Sequence, residues 1–379
     1  MRIGWITYYF PPLGGGGIQR NFNVPEYLVR RGHKVTVYAP VPFTNLSGEF
    51  SFNGKVKRFL PLDIFHLGRG KIITAGGRRD YFSFPDNKVS SIPPLIKNIK
   101  DEDIYIISAP PFSLFLLGIY LNRKGKKWIA DMRDPYTDFD LGRYIFPFSD
   151  EIALEYEHKF LVSANAIVVT TKTLKDRLLK KHKIDRIFVI PDGYEESDFQ
   201  NLKVTKKDKF RISYMGTFNR AHRTDDIVEA LQKICNSPLR DSFEFFHIGS
   251  ATDEEKDKLK NLCFYQSPGY LKRKDAIKLL YDSDLLILTS VPSPYIIPGK
   301  TYEYLRTGIP ILVISSKGEL RRIIKNGIFC DNGDVDCIHK AILDAYKEKR
   351  VRKVSNFVYE YSWENIAAKY EDILWSVLS

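Results

Sequence analysis

Short apolar runs separated by glycine, proline and polar segments recur along the chain, and they predict buried strands that alternate with helices. The first run, Arg2–Tyr8, is followed by the glycine-rich loop Phe10–Gly17 and a helix from about Ile18 to Arg31. Gly32 ends this helix, and a second strand follows at Lys34–Ala39. Strand, loop, helix and strand in this order predict the opening of a doubly wound α/β domain.

The alternation continues through the first half of the chain and then restarts. Further strands of the first half are predicted at Ile104–Ser108, Lys127–Asp131, Ala166–Thr170 and Ile187–Ile190. The polar, lysine-rich segment Asn201–Lys209 predicts a linker, and Arg211–Met215 is the first predicted strand of the second half. The sequence thus predicts two similar α/β domains, 1–205 and 206–357, followed by a segment 358–379 with the spacing of a one-faced helix.

One stretch of the second half combines a buried strand, a rigid loop and a helix start. The apolar run Asp284–Thr289 predicts the strand, and a loop with three prolines and a glycine leads from it to Lys300. A helix is predicted from about Thr301 to Arg306, with Gly308 as its C-terminal glycine and Ile309–Ile314 as the next strand. Open α/β sheets bind ligands in loops at the carboxyl ends of their strands, so this loop is a candidate binding site.

The residue types at this helix start suit a phosphorylated sugar. Free N–H groups and the positive dipole end of the helix favour a phosphate, and the Lys300 ammonium adds a point charge. Glu303, one turn further, is placed to accept hydrogen bonds from sugar hydroxyls beside that phosphate. Guanidinium groups of Arg220 or Arg223 in the loop after Gly216 suit a diphosphate. The alternative is an ordinary capped helix and loop with solvated side chains.

A second charged cluster follows the strand Lys127–Asp131. Asp131, Arg133 and Asp134 lie at the carboxyl end of an otherwise apolar strand, where charged residues are typical of a cleft. The alternative is an Asp–Arg pair that fixes a loop. No Asp-x-Asp motif between apolar strands is present, so no metal site is expected.

Charge narrows the class of partner. The net charge is +12, and residues 1–205 carry 30 basic against 22 acidic residues. The basic residues form short clusters without a nucleic-acid-binding motif, which favours anionic ligands or an anionic membrane surface. The apolar run 104–121 is broken by Pro110 and Pro111, so it predicts a strand and a helix rather than a membrane span.

The cysteines and the start of the chain bear on its compartment. Four cysteines follow residue 230 without metal or disulfide spacing, and Cys330 and Cys337 are the closest pair. The apolar residues after Met1 read as a strand rather than as a signal peptide. A reduced, cytoplasmic location is therefore expected.

The motif P-G-K-T-Y-E-Y-L-x-x-G-x-P-I-L at 298–312 resembles the donor-site segment of retaining glycosyltransferase family four, which has the GT-B fold. The opening G-G-I-Q-R, the segment A-I-V-V-T-T-K-T-L-K-D-R-L and the closing Y-S-W-E-x-x-A-x-x-Y resemble the same family, so the resemblance covers nearly the whole chain. The D-x-R-D motif at 131–134 resembles the branch that assembles cell-surface polysaccharides.

The resemblance implies two Rossmann-like domains that face a cleft, with a closing helix that crosses back to the first domain. It implies a donor of the UDP- or GDP-sugar type, a glycan or lipid-linked acceptor, sugar transfer without a metal, and work at the cytoplasmic face of the membrane. In the family, the helix start holds the diphosphate and a Glu at the position of Glu303 holds the ribose. The family's second Glu is Tyr295 here, so the donor sugar stays open. Thr217 replaces a common Arg, which leaves Arg220 or Arg223 to supply that charge.

The candidate residues fall into three groups. The catalytic candidates are Lys300, Arg220, Arg223, Asp131, Arg133 and Asp134; the donor-binding candidates are Gly15, Gly16, Gly17, Gly216, Gly249, Tyr295, Ile297, Gly299, Lys300, Thr301, Tyr302 and Glu303; the acceptor-side candidates are Arg20, Asp131 and Arg133. Two other functions stay open. A nucleotide-sugar epimerase of the same fold would isomerise UDP-GlcNAc without an acceptor, and a nucleic-acid-binding protein would bind DNA or RNA with a steep salt dependence.

Overall fold

The structure is a computed structural model, and it describes residues 1–13, 17–42, 51–61, 84–86, 88–138, 149–205, 207–219, 224–290, 293–315, 318–349 and 351–379. These residues form two compact units. Unit 1 comprises Met1–Asp192 and Trp363–Ser379, and unit 2 comprises Gly193–Ser362.

Unit 1 is built on a seven-stranded parallel sheet. Its strands are β1 (Arg2–Thr7), β2 (Lys34–Pro40), β3 (Lys55–Phe59), β4 (Ile104–Ala109), β5 (Trp128–Met132), β6 (Ala166–Val169) and β7 (Ile187–Val189). Its helices are α1 (Ile18–Arg30), α2 (Ile92–Asn98), α3 (Leu114–Arg123), α4 (Ser149–Ser163), α5 (Lys172–His182) and α12 (Trp363–Leu378). The strand order β3-β2-β1-β4-β5-β6-β7 is that of a doubly wound sheet.

Unit 2 repeats this plan with a six-stranded parallel sheet. Its strands are β8 (Phe210–Met215), β9 (Phe243–Ile248), β10 (Tyr265–Gly269), β11 (Leu285–Thr289), β12 (Ile311–Ile314) and β13 (Ile328–Cys330). Its helices are α6 (Thr224–Cys235), α7 (Asp253–Lys260), α8 (Arg273–Leu280), α9 (Lys300–Thr307), α10 (Glu319–Ile323) and α11 (Val335–Glu348). The order β10-β9-β8-β11-β12-β13 reverses direction between β8 and β11, which is where doubly wound sheets bind ligands.

The central strands are apolar throughout because helices cover both faces of a parallel sheet. Every residue of β4 and of β11 is buried. The terminal helix α12 packs in unit 1, where Trp363 and Tyr370 join the core formed by β1 and α1. The rings of Trp5 and Tyr370 meet edge to face, with 5.7 Å between their centroids.

The change from unit 1 to unit 2 falls after Asp192 rather than in the predicted linker Asn201–Lys209. The reason is that Tyr194 and Phe199, which precede that linker, are buried in the core of unit 2. The end of unit 2 likewise falls at Ser362, a few residues after the predicted position 357.

The expectation of four cysteines without a disulfide is wrong, because Cys330 and Cys337 are bonded. The chain turns after β13, and Asp334 caps α11 by accepting a hydrogen bond from the Cys337 N–H at 2.9 Å. This turn brings the two Cα atoms to 5.7 Å. The run 104–121 forms β4 and α3 as expected, and no helix in the described part of the chain has the length and apolar character to cross a bilayer.

Candidate active site

The loop and helix after β11 form as the sequence predicts, with one shift in position. Helix α9 begins at Lys300 itself, one residue earlier than predicted, and Gly299 is its N-cap. Gly308 ends the helix in the left-handed conformation, with φ of 69°. A Cβ atom there would lie 2.9 Å from the backbone carbon of Lys353, so both the backbone angle and the close approach require glycine.

The second and third backbone donors of α9 are already used inside its own turn. The Thr301 N–H donates to the Pro298 carbonyl at 2.9 Å, and the Tyr302 N–H donates to the Gly299 carbonyl at 3.3 Å. The side chains of both residues are buried, and the Tyr302 ring packs against that of Tyr361. The Thr301 hydroxyl has no hydrogen-bond partner among the described residues. The electrostatic attraction for an anion at this helix start therefore comes from the helix dipole and from Lys300.

The positive charge that the structure describes at this helix start is the ammonium group of Lys300. Its ammonium nitrogen lies 3.7 Å from the centroid of the Tyr214 ring, which is a cation–π contact. Within the described part of the chain, no carboxylate oxygen lies within 4.0 Å of this nitrogen. Among the described residues Lys300 thus forms no ion pair, although its charge is close enough to Glu303 to lower the pKa of that carboxyl.

Two predicted donor-site glycines meet beside Lys300. Gly216 follows β8 and Gly249 follows β9, with φ of 126° and 148°. A Cβ on Gly249 would lie 2.3 Å from the Gly216 carbonyl oxygen, and a Cβ on Gly216 would lie 3.5 Å from the Lys300 ammonium nitrogen. Only glycine permits this approach of the two loops, and no side chain at position 216 covers the cation.

His247 at the end of β9 fixes this pair of loops. Its Nε2 lies 2.9 Å from the Gly216 carbonyl oxygen, so Nε2 carries the proton and donates it. Burial lowers the pKa of His247, and the nearby Lys300 charge lowers it further. The imidazole is therefore neutral near pH 7, and Lys300 keeps the positive charge of this region. The sequence reasoning did not identify His247, although a histidine at the last but one position of a buried strand was a visible signal.

Glu303 is buried and forms an ion pair with Arg273 at the start of α8. The Arg273 Nε also donates to Asp198 at 3.2 Å. Burial raises the pKa of Glu303, and the charge of Arg273 opposes this rise. The carboxylate proposed for ribose binding is thus held by a guanidinium that the sequence did not predict. The residue types alone did not indicate the pairing of Arg273 with Glu303, because this pairing depends on α8 lying beside α9.

The other donor candidates lie in or near the same loop. Tyr295 and Ile297 are half-buried, and Ile297 packs against the core of unit 2. Gly15, Gly16, Arg220 and Arg223 lie outside the described residues.

In unit 1, the candidates Arg20 and Asp131 form a buried ion pair. An Arg20 NH2 nitrogen lies 2.9 Å from Asp131 Oδ1, and the two side chains are 1% and 0% exposed. Asp131 also accepts hydrogen bonds from Ser108 at 2.8 Å and from the Tyr370 hydroxyl at 2.6 Å. Arg20 donates further to the Ile190 and Pro191 carbonyls. This pair ties α1, β5 and α12 together, which corresponds to the structural alternative given above, with Arg20 rather than Arg133 as the partner.

Arg133 and Asp134 are half-buried at the end of β5. Arg133 donates to the Gly17 carbonyl at 3.2 Å and to the Pro110 carbonyl at 3.1 Å. A Cβ on Gly17 would lie 2.1 Å from the Arg133 NH1 nitrogen, so Gly17 and Arg133 are in close contact. Burial raises the pKa of Asp134, while Arg133 lowers it. Arg133 and Asp134 are thus less deeply buried than Arg20 and Asp131.

Both units therefore have doubly wound parallel sheets, and in unit 2 the cation Lys300 lies beside two glycines at the carboxyl ends of the strands. This is the Rossmann-like construction of GT-B proteins. The model for Glycosyltransferase Family 4 matches residues 14–198, and the model for Glycosyl transferases group 1 matches residues 209–348. The chain belongs to the family 4 glycosyltransferases.

Solved structures of other proteins share this fold. Sucrose-phosphate synthase from Thermosynechococcus elongatus is 17% identical with a TM-score of 0.73, and the match covers 99% of this chain and 98% of that one. HepE from Anabaena, solved with UDP and glucose, is 13% identical with a TM-score of 0.68 and 99% coverage of both chains. A glycosyltransferase from Rickettsia africae is 16% identical with a TM-score of 0.67, covering 100% and 98%. No curated protein matches the chain by sequence.

Proposed function

We propose that this glycosyltransferase moves a sugar from a UDP- or GDP-sugar to a glycan or lipid-linked acceptor, with retention of the anomeric configuration. The observation that carries the proposal is Lys300, whose ammonium has no carboxylate within 4.0 Å among the described residues and lies beside Gly216, a residue with no side chain to cover it. The similarity to HepE, which was solved with UDP and glucose, supports a donor of the UDP type.

The proposed catalysis depends on the negative charge that develops on the leaving group. As the bond between the anomeric carbon and the phosphate oxygen breaks, negative charge grows on the departing diphosphate. A preorganised cation and a helix N-terminus stabilise this charge more in the transition state than in the ground state. These groups belong to the chain, so we propose that transfer continues in the presence of EDTA.

Retention is proposed to proceed by attack on the face that the diphosphate leaves. The acceptor oxygen bonds to the anomeric carbon, and its proton passes to the departing phosphate oxygen. Glu303, the carboxylate one turn from Lys300, is buried and paired with Arg273, which makes it unsuitable as a nucleophile for double displacement. Proton NMR of the first product formed measures the anomeric configuration, and an inverted product would refute this part of the proposal.

The test of the donor site is Lys300→Ala, with Lys278→Ala on the exposed face of α8 as the matched control. Loss of one such charge-stabilising group typically lowers kcat by about 10²–10³-fold. We expect this loss for Lys300→Ala, with an unchanged melting temperature, and wild-type turnover for Lys278→Ala. Normal turnover by Lys300→Ala would refute the assignment.

For the acceptor, we propose contact with anionic membrane lipid through unit 1. A groove of about 390 Å³ between α3 and α4 has an apolar lining that includes Leu116, Ile119 and Ile152, and Arg123 and Lys159 lie at its edge. Ile152 is 41% exposed, so its apolar side chain is accessible in the described part of the structure. Lys159 is paired with Glu155, which also lines the groove, so Arg123 is the cation proposed to meet an anionic head group beside the apolar lining.

Flotation with vesicles of phosphatidylcholine, with and without phosphatidylglycerol, tests this contact. We expect binding that requires phosphatidylglycerol and that Ile152→Ser and Arg123→Glu weaken. Equal flotation of wild type and both variants would refute the proposed surface. The predicted cytoplasmic location stays a prediction, and the Cys330–Cys337 disulfide removes the cysteine argument for it.

A further inference from the structure

We infer that Tyr214 is a positioning residue, whose ring holds the Lys300 ammonium in the donor site in place of a carboxylate counter-ion; this inference rests on the proposed function. Tyr214 lies on β8, next to the point where the strand order of unit 2 reverses, and its side chain is buried. The Lys300 nitrogen lies 3.7 Å from the ring centroid, well inside the distance of about 6 Å that defines a cation–π contact.

The ring is itself fixed from several sides. The Tyr214 hydroxyl donates to the Thr217 carbonyl at 3.3 Å and lies 3.4 Å from the Thr289 hydroxyl at the end of β11. The Phe218 ring packs against it edge to face, with 5.2 Å between centroids. Since the loop after β8, the end of β11 and a second ring all hold Tyr214, its aromatic face is a rigid support for a flexible lysine side chain.

A neutral ring orients the Lys300 ammonium without cancelling its charge, which a carboxylate at this position would do. A carboxylate would neutralise Lys300 and would compete with a phosphate for it, whereas a ring attracts the ammonium through its quadrupole and leaves the net charge in place. Gly216 lies beside the ammonium without a side chain, and His247, the titratable group bonded to the Gly216 carbonyl, is neutral near pH 7. The ammonium is therefore oriented but not neutralised.

The experiment measures the affinity for a nucleoside diphosphate and for its monophosphate by calorimetry, using whichever of UDP, GDP or ADP the wild type binds most tightly. The variants are Tyr214→Leu, Tyr214→Phe, Lys300→Ala and the double variant Tyr214→Leu/Lys300→Ala. Phe245→Leu is the control, because Phe245 is an equally buried ring on the neighbouring strand β9 and does not contact Lys300 in the structure.

We expect Tyr214→Leu to weaken diphosphate binding by roughly three- to thirty-fold, the range of a cation–π contact, with a smaller effect on the monophosphate. Tyr214→Phe should keep near wild-type affinity, since it keeps the ring. The double variant should bind like Lys300→Ala, because Tyr214 acts through Lys300. Phe245→Leu should leave the affinity unchanged.

The outcomes separate the inference from the proposed function. If the wild type binds none of the diphosphates, or if Lys300→Ala binds normally, the proposed function fails and the inference fails with it. If Lys300→Ala weakens binding but Tyr214→Leu does not, or if their effects add in the double variant, only the inference is overturned. Should Tyr214→Leu not fold, phenylalanine is compared with a trifluorinated phenylalanine at position 214, which keeps the shape and weakens the quadrupole. Equal affinity of those two proteins overturns the inference.

Discussion

Replacing Asp131 with Asn tests whether the buried ion pair of unit 1 is structural. Arg20 is 1% exposed, and Asp131 faces its guanidinium while also accepting bonds from Ser108 and Tyr370. In Asp131→Asn the guanidinium stays buried, and the new amide N–H₂ meets donors instead of acceptors. Breaking a buried pair from one side costs about 3–5 kcal/mol. Asp192 remains 3.2 Å from Arg20 and offsets part of the loss, so we expect a cost near the lower end, about 3 kcal/mol.

Urea denaturation followed by tryptophan fluorescence measures the free energy of unfolding of unit 1. All four tryptophans, at positions 5, 128, 363 and 375, belong to this unit. The matched control is Asp103→Asn, which removes the exposed Arg2–Asp103 pair, with side chains 53% and 36% exposed. Such surface pairs contribute about 0–1 kcal/mol. The double variant Arg20→Met/Asp131→Leu should be more stable than Asp131→Asn, because it removes both charges together.

A small change in stability together with a loss of sugar transfer would support the predicted role of Asp131 on the acceptor side. If Asp131→Asn changes the free energy of unfolding by less than about 1 kcal/mol while sugar transfer is lost, Asp131 acts on a substrate and the structural reading is refuted. If stability falls as expected and the residual folded protein keeps its turnover number, the pair supports the fold. The turnover number is therefore measured without urea and divided by the fraction of folded protein.

Three further predictions follow from close contacts and from one titrating group. Gly249→Ala places a Cβ 2.3 Å from the Gly216 carbonyl oxygen at a φ that strains alanine, so it should lower the melting temperature and the nucleotide affinity together. Gly118→Ala places a Cβ 2.5 Å from the buried Trp128 ring and should cost about 1–3 kcal/mol in the fluorescence-detected transition of unit 1. Because the folded state lowers the pKa of His247, it binds fewer protons than the unfolded chain, so this stabilisation is complete above about pH 6.5 and is lost as the pH falls. The stability advantage of wild type over His247→Gln should accordingly shrink between about pH 7 and pH 5, and a constant difference would contradict the assigned neutral imidazole.

The apolar pattern of the sequence was sufficient to predict the central strands and the cap at Gly308. These features are local: a strand covered on both faces is apolar along its length, and a glycine ends a helix where its backbone alone adopts the required angle. The same reasoning missed edge strands such as β3 (K-V-K-R-F) and β10 (Y-Q-S-P-G). Their side chains are largely exposed, and hydrogen bonds to a neighbouring strand, rather than burial, define them.

The sequence by itself determined the class of fold, the family and the segment around Lys300, since these depend on residue types at short fixed spacings. The tertiary structure alone decided which charges meet. Arg20 and Asp131 are 111 residues apart and become partners because α1 and α12 pack in one core with the sheet that contains β5. In unit 2, Arg273 reaches Glu303 and Tyr214 lies under Lys300 for the same reason. The order of the strands in each sheet determines which side chains become neighbours. That order depends on pairing between strands far apart in the sequence, which a local pattern of residues does not predict.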